Sequence, residues 1–453
     1  MVSTATPRQL MVTNINSNST GDVTAADLRT VLGATLDTID RSARGTVNVM
    51  DYGAKIDGST NDTAAWNAAL ATGKVVMFPE GDSVITGKLS FPSIQGAAII
   101  GAGRNKSAFI VSYTTFTMNA TAVIEMNAAF QGLHGIAIKF VQPTTAVRAN
   151  VKVYPPAINI NGHSRSEIST IRIEGSWIGI RGQGNCGGAV IDDIQIAAFF
   201  QGGVFDGAFD SIRINRWHFW PFGVSGDAAL MSIWGDGQTT CLDFGKVDDL
   251  NMSSVLTYQG RIIFADHGLG SVFGVATDIT LDADYGRIEF HAGDMSIASI
   301  YDSAAASDDF AIRITGGQLR VSGLRLGGGN LGVYGAVQVD GGVFSASNIY
   351  FHTQSNSMRA FVQTAGRMLL SNGYFNEFSA APRVEPLIHV MGGRAVLTAL
   401  MASDRAVGQT SHFIAINNDD WHVVTGNSAP GWAYSYPPTK LLGQYGPNAP
   451  SNW

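Results

Sequence analysis

The sequence predicts an all-β fold: a right-handed, single-stranded parallel β-helix with a short helical segment in front and a small cap behind. Three observations lead there. Charged residues make up only 14 % of the 453 positions, against about 25 % in an average domain. Glycine is abundant at 53 residues and proline is not, at 14. Finally, a small or turn residue followed by apolar-x-apolar recurs mostly about two dozen residues apart, the period of one solenoid coil. Low charge does not suit helical bundles, which need charged outer faces. It suits short strands joined by frequent tight turns.

Composition also excludes function classes. A net charge of −7 and no run of Lys and Arg argue against a nucleic-acid partner, which calls for a basic stripe. Neutral or weakly charged ligands such as glycans stay open. Cys186 and Cys241 cannot make a disulfide framework and read as buried free thiols, which suits assembly in a reducing cytoplasm. The N-terminus has no basic segment followed by an apolar run, and no stretch approaches about 18 consecutive apolar residues. No membrane span is expected. A virion component released by lysis reaches the outside of cells without a leader.

Residues 1–45 read as an attachment or oligomerisation segment. Thr24 is placed to cap a helix, Asp27 lies in its first turn, and Leu28, Val31, Leu32, Leu36 and Ile39 recur at helical spacing. So short a segment cannot bury that stripe alone, so it is expected to pack across subunits or dock on a neighbour, with a helix folded back on the main body as the alternative. Residues 46–402 carry the β-helix. It opens with Val47-Asn-Val-Met-Asp-Tyr-Gly-Ala-Lys, a Gly/Asp-rich turn, and a short helix over Ala64–Leu70 capped by Asp62 or Thr63. Val75-Val-Met-Phe-Pro-Glu-Gly81 and Ile99-Ile-Gly-Ala-Gly-Arg104 follow as strand and turn. Over about residues 46–112 this order of motifs resembles the pectate-lyase-like family found at the start of many phage tailspike β-helices. The resemblance implies that the helix around Trp66 plugs an open coil end, which is otherwise an unpaired sheet edge. It implies a fold, not a chemistry. Residues 403–453 lose the pattern and read as a C-terminal cap or trimer contact.

The repeat assigns the coils. Thr170-Ile-Arg-Ile173, Asp193-Ile-Gln-Ile196, Ser211-Ile-Arg-Ile214, Asp249-Leu-Asn-Met252, Asp278-Ile-Thr-Leu281, Gly323-Leu-Arg-Leu326 and Asn348-Ile-Tyr-Phe351 each put two apolar side chains inside and one residue outside. Asp193, Asp249, Asp278 and Asn348 then share one corner, where Asp and Asn serve backbone N–H groups. That makes Asp192-Asp193 and Asp248-Asp249 structural and not catalytic dyads.

Aligned in this way, the third coil carries extra residues, Asn215-Arg-Trp-His-Phe-Trp-Pro-Phe222, expected to bulge outward. Arg216, Trp217, His218 and Trp220 are the candidate sugar-binding residues there, because flat apolar sugar faces pack on aromatic rings. The bulge also fits a cover for the core or a subunit contact. Asp206 and Asp227 fall on neighbouring coils as either turn aspartates or a carboxylate pair for glycoside hydrolysis. Glu174 follows its triplet on the same side. A longer insertion adds Trp234, Asp236 and Asp243 as further candidates for binding and catalysis. Asp282, Asp284, Glu289 and His291 form a second polar cluster, a distal sugar subsite, while Glu125, Glu167, His134 and His163 read as structural singletons. No motif calls for a metal or another cofactor.

The resemblance and the candidate residues together imply a homotrimeric, virion-borne depolymerase. It would attach to the phage tail or baseplate by its N-terminal segment and act at the cell surface. It would bind and cut bacterial surface polysaccharide (capsule, exopolysaccharide or O-antigen), by hydrolysis with paired carboxylates. The alternatives are β-elimination at a uronic acid, with Arg216 neutralising the substrate carboxylate and His218 or a tyrosine as base, and a tail protein that binds glycan without cutting it.

Overall fold

The computed structural model describes residues 45–282, 286–302, 310–328, 336–353, 357–377 and 385–403, then 412–417, 420, 422–429, 433–435 and 441–442. The expected N-terminal helix, Asp284 and most of 403–453 lie outside them. All named strand pairs are parallel, and each segment pairs with the one a coil further on. The chain therefore winds as a parallel β-solenoid of about 14 turns. Helix α1 spans Thr63–Leu70 and helix α2 spans Ala228–Trp234.

Every coil contributes to three sheets. The first sheet begins with Thr46–Asn48, Val75–Phe78 and Ala98–Gly101. The second begins with Gly81–Ile85, Ser107–Ser112 and Ala137–Val141. The third runs through Ile124–Met126 and Ile158–Asn161. In the middle of the molecule one strand, Glu167–Gln183 or Ala189–Asp206, serves all three.

The corner between first and second sheets is a single residue with positive φ: Thr170, Asp193, Arg216, Ser254, Asp278, Asn348, Asn372 or Ala399. Asp and Asn tolerate that conformation better than other non-glycine residues. Neighbouring corners also bond to one another, as when Asn372 Nδ2 donates to Asn348 Oδ1 at 2.6 Å. Asp193, Asp278 and Asn348 thus hold the corner expected of them, but Asp249 does not. Asp249 pairs with Ser211 on the first sheet, and the corners of those two coils are Ser254 and Arg216.

This shift of register moves the aromatic run. Asn215–Phe219 do not bulge; they finish the strand Ala208–Phe219. Trp217 pairs with Ile194 and Val255, and Phe219 with Ile196. Both rings are fully buried, each occupying a core slot that isoleucine fills one coil earlier. A buried side chain of this kind stabilises by about 1.5–3 kcal/mol. The core continues as stacked ladders, for example Phe205, Phe244, Phe264 and Phe290 with successive centroids 5.8, 5.4 and 5.4 Å apart.

Helix α1 buries Trp66, Ala69 and Leu70 against the first coils. The Trp66 ring meets Phe78 and Phe109 edge-on at 4.8 Å, and its Nε1 donates to Ser83 Oγ. Asp62 does not cap this helix by its side chain. Its carboxylate instead accepts from the Lys55 and Ile56 amides and from Ser83 Oγ. Winding also passes the expected boundary at 402, since His412–Ile416, His422–Thr425, Ala433–Ser435 and Leu441–Leu442 go on pairing. Cys186 and Cys241 are buried free thiols, each pushed up to about 12 by burial.

Candidate functional site

The extra residues of the third coil lie between Phe219 and Thr240, where the second sheet turns into the third. Helix α2 fills that insertion. Asp227 caps it, accepting from the Ala229 and Leu230 amides, and the Leu230 amide above all holds its carboxyl below the usual carboxylate range. Trp234 is fully buried, stacked on Phe219 at 4.7 Å. Asp236 is gripped by Arg148, whose Nε and Nη2 each donate at 2.6 Å. Nη2 also reaches the Ile233 carbonyl, and Nη1 the Phe199 carbonyl, so Arg148 ties the 142–157 segment to the insertion. Asp227, Asp236 and Trp234 therefore build the wall beside the third sheet. Asp227 is not next to Asp206, because the length of the third sheet separates them: Asp206 ends its strand and Asp227 precedes the next.

Asp206 has a different carboxylate neighbour. Asp243 pairs with Val204, and Asp206 lies two residues beyond Val204 on the same outer face. The two aspartates are thus diagonal neighbours, with backbones on the order of 8 Å apart. Asp243 is nearly buried, its Oδ1 2.8 Å from His267 Nε2 and its Oδ2 accepting from Gln201 Nε2 at 2.8 Å. A Cβ at Gly245 would collide with both Asp206 Oδ1 and His267 Cδ2, so Asp206 and His267 meet over that glycine. Asp206 Oδ1 also accepts from the Lys246 amide. Gln201 follows Phe200, which stacks on Trp177 from the coil before at 5.3 Å and 16°. A flat, partly exposed aromatic pair therefore stands at the opposite end of the same sheet from Asp206, roughly 15–20 Å along the strand. Trp177 and Phe200 hold near-equal places in successive coils. His267 carried no such signal, because it lies beyond its strand in a turn.

Two coils on, the same sheet carries Glu289 with Arg287 at 2.9 Å, His291 at 3.6 Å and Arg261 at 3.7 Å. Burial works to raise the Glu289 pKa, but the His291 hydrogen bond and the Arg287 and Arg261 charges win and lower it to about 2. Glu289 and His291 hence form a polar cluster as expected. Asp282 belongs to the second sheet instead, paired with Tyr258.

The second sheet gathers the remaining candidates on its outer face. Arg172, Gln195 and His218 form one row, and Glu174 stands on the neighbouring row. Arg172 lies over the Phe222 ring and 3.4 Å from Glu174 Oε1. His218 sits edge-on to Phe222 and Trp220, and Trp220 lies against Tyr258 at 4.4 Å. Burial, helped by the Arg104 charge, lowers the His218 pKa, so its imidazole is neutral at pH 7. The arginines are balanced: Arg216 pairs with Asp192 at 2.6 Å and Arg104 with Asp193 at 2.8 Å. Of the expected sugar-binding set, Arg216, His218 and Trp220 reach the surface, whereas Trp217 and Trp234 are core. Among the described residues no three His, Cys, Asp or Glu side chains converge closely enough to hold a metal ion.

Residues 46–181 match a family model described as rhamnogalacturonase A/epimerase, pectate lyase-like. The match covers the first coils and less than a third of the chain. No curated protein sequence matches the chain. Among solved structures, the catalytic unit of a thermostable α-1,3-glucanase from Streptomyces thermodiastaticus is similar at 16 % identity and a TM-score of 0.47, covering 86 % of this chain and 69 % of that one. The N-terminal fragment of gene product 12 of bacteriophage phi29 is similar at 12 % identity and a TM-score of 0.47, covering 90 % and 73 %. A tailspike of an Acinetobacter phage is similar at 12 % and 0.39, covering 90 % and 64 %. The pectate lyase-like match ends at residue 181, before Asp206, Asp243 and His267, and such distant likenesses do not reach the chemistry of those residues.

Proposed function

We propose that this chain is a depolymerase that binds and hydrolyses a bacterial surface polysaccharide on the outer face of its third sheet. The observation that carries the reading is the meeting of Asp206, Asp243 and His267 on the sheet whose other end carries the Trp177–Phe200 platform. Asp206, Asp243 and His267 share one face, which supplies an acid and a base for glycoside hydrolysis. Asp243 fixes the His267 ring through Nε2, which leaves Nδ1 to accept a proton from the attacking water. Asp206 is the proton donor to the leaving glycosidic oxygen. Sugar rings lie on Trp177 and Phe200. Association with a phage tail and a homotrimer remain part of this proposal, resting on the N-terminal helical stripe and on the family resemblance to tailspikes.

A second reading has one observation in its favour. His218, on the outer face of the second sheet with its pKa lowered by burial and the Arg104 charge, is equipped as the base for the C5 proton in β-elimination. Digesting a bacterial surface polysaccharide while following reducing ends and absorbance of unsaturated product separates the two. Reducing ends without absorbance, lost in Asp206→Asn, support hydrolysis on the third sheet. Both signals rising, lost in His218→Ala, overturn it in favour of elimination.

A further inference from the structure

The outer row of the second sheet does not stop at His218. Register carries it through Leu256, Thr280, Tyr301, Arg325, Tyr350 and Tyr374. The last four form a ladder. The Arg325 guanidinium lies 5.1 Å from the Tyr301 centroid and 5.7 Å from that of Tyr350, and Tyr350 stacks on Tyr374 at 6.2 Å and 28°. Tyr301 and Tyr374 are each 39 % exposed, and Arg325 is exposed too. At one coil per about 4.8 Å, the ladder is roughly 14 Å long and begins roughly 14 Å beyond His218.

Single exposed rings are ordinary on any surface. Three tyrosines and an arginine in register on consecutive coils are not scattered. The charge adds to this: among the described residues no carboxylate pairs with Arg325, which is held instead by the two rings. A guanidinium held between two rings keeps its edge for a carboxylate or sulfate, which it grips through parallel N–H donors. The rings offer flat faces at the repeat of the coil.

We propose that the Tyr301–Arg325–Tyr350–Tyr374 row is a second glycan-binding surface, which holds an anionic polysaccharide strand parallel to the helix axis without cutting it. It rests on the reading of the chain as a polysaccharide-active protein, and it places the hold around a corner from the cleaving face. Charge and continuity argue for this occupant. The row presents an unneutralised cation, and it prolongs the surface on which His218 and Trp220 stand. A strand held there stays tethered between successive cuts, which raises its effective concentration at the third sheet.

The test is affinity electrophoresis of the full chain in gels containing alginate, polygalacturonate or hyaluronate, with dextran as the neutral control. At least one anionic polymer retards the wild type and dextran does not. Arg325→Gln and Tyr350→Ala each weaken retardation roughly tenfold, as loss of one charge-assisted or stacked contact does. Lys106→Gln, which removes an exposed cation from the first coils, leaves it unchanged. Equal retardation by dextran, or Arg325→Gln and Tyr350→Ala binding as the wild type does, overturns the proposal. So does no retardation by any anionic polymer. If those variants change the molar mass by light scattering instead of the binding, the row is a contact between copies and the proposal falls. Loss of retardation in the row variants with no polymer cleaved by the wild type keeps the second surface and removes the depolymerase reading. Cleavage with unaltered row binding does the reverse.

Discussion

Replacing Trp217 with alanine tests the register on which the site rests. If Trp217 fills a core slot between Ile194 and Val255, its loss opens a cavity the size of an indole. The surroundings cannot close on it. The strands above and below are fixed by the ladder, and Gly203 already sits against the ring, where a Cβ would lie 3.0 Å from Cζ-side carbon Cη2. A large-to-small change at such a place costs about 3–5 kcal/mol. Trp220→Ala removes a partly exposed ring whose aromatic contacts are worth about 0.5–1.5 kcal/mol. Urea unfolding followed by far-ultraviolet circular dichroism reads both. The expected order is a large drop in midpoint for Trp217→Ala and a small one for Trp220→Ala. A Trp217→Ala variant with an unchanged midpoint and lost glycan binding would show that the ring projects outward and that the coil assignment is wrong.

Asp236→Ala leaves the Arg148 guanidinium, only 18 % exposed, without its carboxylate. A loss of about 1.5–3 kcal/mol follows, with faster proteolysis in 142–157 and 220–239 as the direct readout. Asn348→Gly keeps the corner conformation, while Asn348→Val forces a β-branched residue into φ 53° and loses about 1–2 kcal/mol; comparing their unfolding midpoints checks the corner. His134, His218, His389 and His422 all have pKa values lowered by burial below 6.5. The unfolded chain binds protons first, so their contribution is present above about pH 6.5 and is lost as pH falls through the lowered folded values. Stability flat between about pH 7.5 and 5 would contradict this. Gly245→Ala pushes Asp206 and His267 apart, and cleavage falls more than binding does.

Much of this fold could be read from the sequence because a solenoid repeats one rule. The inner pairs Ile171/Ile173 and Ile194/Ile196 follow it plainly, and the residue before each pair marks a corner. The rule failed where a coil carries two inner pairs. In the third coil the first-sheet pair Ile212/Ile214 looks like the motif, while the second-sheet pair is Trp217/Phe219, whose aromatic residues disguised it as a surface loop. Taking the wrong pair moved Ser211 and Asp249 to the corner and Asn215–Phe222 out of the core. The same slip set Asp206 beside Asp227. Asp206, Asp243, Glu174, His218 and Trp220 were legible as residue types, but their company was not, because it depends on which sheet each strand joins. His267 meets Asp243, and Trp177 meets Phe200, only through the stacking of coils.

The central claim is that cleavage occurs on the third sheet. The measurement that tests it most directly is the rate of new reducing ends from a bacterial surface polysaccharide with wild type, Asp206→Asn, His267→Ala and His218→Ala in parallel. The account predicts that Asp206→Asn and His267→Ala lose cleavage by at least about a hundredfold, the usual worth of a positioned acid or base, while keeping their fold and glycan binding. His218→Ala keeps cleaving. Full activity in Asp206→Asn with none in His218→Ala would contradict it and move the chemistry to the second sheet.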